Sequence, residues 1–95
     1  MVRHIVMLRL ENPQKIAPEV KQRLEALVQE IEQIKELKVG LNFNSSDRKS
    51  DLVLETTFET ENALDIYQQH PKHQEVVQFI NLHKIESRVV DYHDV

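Results

Sequence analysis

The chain contains no cysteine. Disulfides, thiolate metal sites, iron–sulfur clusters and a cysteine nucleophile are therefore excluded together, and any chemistry falls to His, Tyr, Asp, Glu or Ser. Nor is there an apolar run of the ~18 residues that a membrane helix needs. In the opening MVRHIVMLRL, Arg3 and Arg9 bracket too few apolar residues for a secretion signal. No membrane partner is expected, and a cytoplasmic location is. A basic block able to follow a phosphate backbone is also missing: 16 acidic residues stand against 12 basic ones, for a net charge of −4, so no nucleic-acid partner is expected. Glycine occurs once and proline three times. With 40% apolar and 29% charged residues, the chain is too apolar and too periodic to be disordered. Its 95 residues, without repeat, linker or low-complexity segment, suit one domain over 1–95 with a thin core.

What is present is periodic. Val2 to Leu10 alternates, with His4, Val6, Leu8 and Leu10 on one face and Ile5, Met7 and Arg9 on the other, which predicts a strand. Asn12-Pro13 signals a turn, and Pro18 is expected to open a helix running to about Lys38, because Val20, Leu24, Leu27, Val28, Ile31, Ile34 and Leu37 recur at helical spacing. A short strand is expected over Val39–Asn44, with Val39, Leu41 and Phe43 on one side; its Gly40 suits a bulge, a close approach or a simple exit from the helix. The polar run Ser45–Ser50 reads as a loop and Asp51–Phe58 as a third strand. Two short helices follow, separated at Pro71, the second reaching about Lys84, and Ile85–Tyr92 closes the chain as a fourth strand.

This order predicts an α+β fold of the ferredoxin-like type, βαββαβ, with a four-stranded antiparallel sheet carrying its helices on one face. The face holding Val6, Leu8, Leu54 and Phe58 should meet the helices. The opposite face mixes Ile5, Met7, Val53, Val90 and Tyr92 with Arg9, Glu55, Thr57 and Arg88, the pattern of an interface whose charges set its register. A homodimer formed through that open sheet face is expected.

The chemistry concentrates in Ala63–Val77, where Tyr67, His70 and His73 fall within seven residues of a chain that has two tyrosines and five histidines. Pro71 disfavours helical backbone at His70 and is itself suited to a first helical position. His70 is thus expected to be an N-cap and His73 the third residue of the new helix. The helix dipole and burial there both oppose imidazolium, so the His73 pKa should lie below about 6.5, with the ring neutral and able to accept a proton. His70 and His73 stand three apart, but with His70 as a cap the two rings need not converge, and no third ligand lies at a diagnostic spacing; no metal and no cofactor is expected.

Four segments, VRHIVMLRL, SDLVLETTFET, IYQQHPKH and SRVVDYHDV, resemble in order and spacing the stress-responsive A/B barrel family. The tyrosine followed by HPxH is the most specific of them. The resemblance implies a ferredoxin-like subunit and a dimeric α+β barrel. In the family's plant polyketide-cyclase branch a tyrosine and the second histidine of HPxH act in a pocket between helices and sheet; the matching positions are Tyr67 and His73, and a further pocket histidine matches His4. The departure lies in the third strand, where that branch carries another pocket histidine and this sequence has Leu52.

Two functional readings use these residues. As a binding module, the dimer would hold a small apolar or aromatic molecule against His4, Tyr67 and His73. As a cyclase- or isomerase-type enzyme, it would use His73 as general base next to a carbonyl and the Tyr67 hydroxyl to stabilise the enolate. A purely structural role is the third: His70 as cap, His73 packed on the sheet, and Tyr67 in the core with its hydroxyl at the surface. His83 and His93 are read as surface residues.

Overall fold

The computed structural model describes residues 1–95. The elements run β1 (Val2–Leu10), α1 (Pro13–Glu30), β2 (Glu36–Leu41), β3 (Leu52–Phe58), α2 (Glu61–Gln69), α3 (Pro71–Asn81) and β4 (Lys84–His93). The strands form one antiparallel sheet in the order β2-β3-β1-β4, the ferredoxin-like arrangement, with its second helical segment broken into α2 and α3.

Register decides what each face carries. Val6 stands opposite Leu54 of β3 and Val89 of β4, and His4 opposite Thr56 and Asp91. Because side chains alternate, this aligns Val2, His4, Leu8, Leu52, Leu54, Thr56 and Phe58 on one face, where all are buried. Ile16, Val20, Leu24 and Leu27 of α1 complete the layer, and seventeen buried apolar residues form one core. The opposite face presents Ile5, Met7, Val53, Val90 and Tyr92 with no helix over them, as the alternation predicts. Arg3 on that face reaches Asp94 at 3.5 Å and Glu36 at 4.0 Å.

The first helix differs from its expected span at both ends. It starts at Pro13, not Pro18: Asn12 takes the left-handed conformation (φ 45°), which asparagine tolerates, and its carbonyl accepts the N–H groups of Lys15 and Ile16. Pro13 then occupies the favoured first position. Pro18 lies within the helix on its exposed side, where it forgoes only the bond its missing N–H would give Gln14. The helix ends at Glu30, not near Lys38, because Ile31 is extended (φ −125°, ψ 104°). Ile31 and Ile34 are buried nonetheless, through a turn in which Ile34 N–H donates to the Ile31 carbonyl at 3.3 Å. A turn repeats its buried positions every third residue much as a helix does, and that spacing disguised the change.

The second strand is displaced accordingly, to Glu36–Leu41 from the expected Val39–Asn44. Pairing sets it: the Lys35 N–H donates to the Thr57 carbonyl at 2.8 Å, and Leu37 and Val39 then stand opposite Thr56 and Leu54. Phe43 falls beyond the strand and is 98% exposed instead of sharing the Val39 side. Gly40 marks a close approach: it pairs with Val53, whose Cγ1 would stand 3.1 Å from a Cβ at that position. Asp51, just before β3, is buried. Its carboxylate accepts the Leu10 N–H at 2.7 Å and Lys49 Nζ at 3.2 Å, while its own N–H donates to the Leu8 carbonyl at 2.7 Å.

Candidate functional site

Thr60 opens α2, its hydroxyl accepting the Ala63 N–H at 3.0 Å, and Leu64 and Tyr67 turn inward one turn apart. The chain then reaches His70, which is extended (φ −64°, ψ 134°) as the residue before a proline must tend to be. His70 serves both helices. Its N–H donates to the Tyr67 carbonyl at 3.2 Å, its carbonyl accepts the Gln74 N–H at 3.0 Å, and its ring Nδ1 accepts the Lys72 N–H at 3.1 Å. The ring is thus engaged as a cap and takes no part in the cavity described below.

His73 is the third residue of α3 and half-buried. Its Nδ1 lies 3.1 Å from the Gln68 carbonyl, in the last turn of α2, where carbonyls have lost their helical partners. A carbonyl can only accept, so the proton sits on Nδ1 and the lone pair on Nε2. Burial holds the His73 pKa below its ordinary value; the bond to Gln68 opposes this, and the nearby His4 and His70 rings reinforce it. The ring is neutral at pH 7, with Nε2 as its basic atom.

Tyr67 is fully buried, its ring 4.3 Å from that of His73, 5.0 Å from Phe58 and 6.2 Å from His4. Its hydroxyl is buried with no protein partner, whereas a purely structural tyrosine would bring that hydroxyl to water. Burial also pushes the phenol pKa above its ordinary value, so the group remains a neutral donor. His4, 5% exposed, points its Nδ1 at Asp91 Oδ1, 2.5 Å away. A carboxylate leaves that nitrogen to donate and the Nε2 to face elsewhere.

Helix α3 leans on α1 and α2 rather than down onto β4. The gap is a cavity of about 200 Å³ between α3 and the sheet, with His4, His73 and Gln68 among its lining and walls formed by Val6, Leu54, Val76, Ile80 and Val89. The structure therefore brings His4 and His73 to one cavity. Tyr67 does not line it: the ring packs behind His73, in the core. A larger hollow of about 450 Å³ lies near Met7, Gly40 and Phe43, but Lys49 is its sole ionisable side chain.

Asp91 and Gln68 were not legible as site residues. Alternation assigns Asp91 a face, but its bond to His4 needs the β1–β4 register; Gln68 acts through its backbone, which no side-chain pattern reveals. The remaining histidines lie apart from the cavity, His93 bonding Glu61 at 2.5 Å and His83 packing on the Phe79 ring at 5.1 Å. No three His, Asp or Glu side chains converge as a metal site would require.

Residues 2–94 match the family model of the stress-responsive A/B barrel domain. Among solved structures, a dimeric protein of unknown function and ferredoxin-like fold from Bacteroides fragilis is 26% identical, with a TM-score of 0.89 over 98% of this chain and 95% of its own. A protein from Arabidopsis thaliana is 25% identical, with a TM-score of 0.85 over 100% of this chain and 96% of its own. The hydroxynitrile lyase of Passiflora edulis, 21% identical, has a TM-score of 0.83 over 96% of this chain and 90% of its own, a likeness of fold alone. No curated protein matches the chain by sequence.

Proposed function

The chain belongs to the stress-responsive A/B barrel domain family, and we propose that it acts as a homodimer that binds a small apolar or aromatic molecule in the cavity between α3 and the sheet. The observation that carries this reading is the cavity's composition: apolar walls with two histidines, His4 and His73, whose free nitrogens can orient a polar group. The Tyr67 hydroxyl, buried and unpaired, does not line the cavity and would become a third polar contact once the His73 ring in front of it shifts on binding. Dimerisation through the open face carrying Ile5, Met7 and Val53 would cover apolar surface that the helices leave bare, and the Bacteroides fragilis neighbour is a dimer.

Native mass spectrometry of protein purified from its own organism tests the binding reading, with one small molecule expected per protomer. Titration with a panel of small aromatic and aliphatic compounds should also shift the NMR signals of His73 and Val76. A panel that moves neither residue would sink it.

The neutral His73 beside an unpaired Tyr67 hydroxyl favours one second reading, a cyclase- or isomerase-type enzyme. His73 Nε2 would take a proton from a carbon next to a carbonyl, the electron pair of the broken C–H bond would pass to the carbonyl oxygen, and Tyr67, uncovered by the same shift of the His73 ring, would donate a hydrogen bond to that enolate oxygen. In an isomerisation the proton would return to a different carbon; in an aldol-type closure the enolate carbon would attack a second carbonyl of the same molecule, and the proton would pass to the oxygen of the alcohol so formed. Solvent deuterium should then enter a bound ketone next to its carbonyl at a rate that follows the His73 titration. Exchange equal in the wild type and His73→Gln would leave only the binding role.

A further inference from the structure

The pairing of β1 with β4 changes step at one point. Arg9 stands opposite Glu86, but Leu10 stands opposite Lys84 rather than Ile85. In an unbroken ladder Ile85 would face Leu10 on the helix-bearing side and Lys84 would turn to the other face. The extra residue reverses this. Lys84 joins the helix-bearing side and lines the cavity, while Ile85 is left 54% exposed. Strand irregularities of this kind re-aim single side chains beside functional sites.

Lys84 is the one permanently charged residue of the cavity lining. None of the chain's ten ion pairs includes it. The nearest acid along its strand, Glu86, stands opposite Arg9 on the other face and bonds Arg88. His4 lies six residues along β1 from Leu10, about 20 Å of strand, so the cation and the histidines mark opposite ends of the site. A cavity of about 200 Å³ has the volume of about seven water molecules.

We propose that the cavity selects an amphipathic monoanion: a short alkyl or single-ring body along the apolar walls, a carboxylate at Lys84, and the far end of the molecule toward His4 and His73. This rests on the pocket reading above and adds the charge of the ligand and the residue that reads it. The cation is a flexible point charge on an exposed residue, so its effect should be modest and salt-dependent.

Octanoate and its uncharged isostere octanamide, titrated into the full chain at low salt, test the idea by NMR. Octanoate should bind about fivefold more tightly, the scale of an exposed ion pair. That preference, read as the ratio of the two affinities, should shrink at high salt and vanish in Lys84→Gln. Equal binding of the two compounds to the wild type, or a preference that survives Lys84→Gln, would overturn the assignment while leaving the pocket in place. If neither compound moved His73 or Val76, the pocket reading would fall and this inference with it.

Discussion

The ring of Tyr67 lies 4.3 Å from that of His73, centre to centre and tilted by 46°, across the break where α2 gives way to α3. In one continuous helix, residues six apart would be turned about 120° from each other around the axis, facing different surroundings. The extended backbone at His70 cancels that rotation and sets both rings toward the sheet. Pro71 is therefore the residue that assembles the candidate site, although its own side chain takes no part in it.

Tyr67→Phe tests whether the hydroxyl is kept for function. An unpartnered buried hydroxyl is worth about 1–3 kcal/mol of lost solvation, so its removal should leave stability equal to the wild type or raise it within that range. Ligand affinity, or exchange of a bound ketone, should fall in the same variant. A stability loss measured by urea denaturation, with ligand behaviour unchanged, would place the hydroxyl in a structural role.

His73 carries the pH dependence. Its pKa lies below 6.5 in the fold, mainly through burial, so between the folded and unfolded values the unfolded chain binds more protons. Stability is thus highest with the ring neutral, above about 6.5, and is lost as pH falls from there toward the folded pKa. Thermal melts between pH 7 and 5 should show this slope, and His73→Gln should flatten part of it. An NMR titration placing the ring at or above 6.5 would contradict the neutral-base assignment.

The open face should hold the dimer together. Val53→Glu puts a carboxylate opposite Met7 on the face that also carries Ile5 and Val90, and burying it without a partner costs roughly 1–3 kcal/mol or more. Sedimentation equilibrium at micromolar concentration should show a dimer for the wild type and a shift toward monomer for the variant. An 11.2 kDa species alone in the wild type would remove the dimer from the proposal.

Asp51, which does not line the cavity, supplies a structural control. Asp51→Ala removes the acceptor of the Leu10 N–H and should cost about 1–3 kcal/mol in denaturant unfolding. Asp51→Asn, which keeps an acceptor oxygen but loses the charge facing Lys49, should cost less. Equal losses for the two would assign the effect to the lysine pair.

Local periodicity was enough to sort the layers. Alternation through His4, Val6 and Leu8 told which face of β1 meets the helices, and the tyrosine–HPxH spacing placed the helix break, the His70 cap and His73 beyond it, because these patterns depend on residues within a few positions of one another. The turn at Ile31–Ile34 escaped the same reasoning, since its buried spacing matches a helical one and only pairing of β2 with β3 draws the chain out of the helix. The partners of the site residues were equally hidden. Asp91 reaches His4 across 87 residues of sequence, and Lys84 faces the cavity through one extra residue in β4. A strand's own sequence states which side each residue is on, but which residue lies opposite is a property of two strands in register, and that exists only once the sheet has formed.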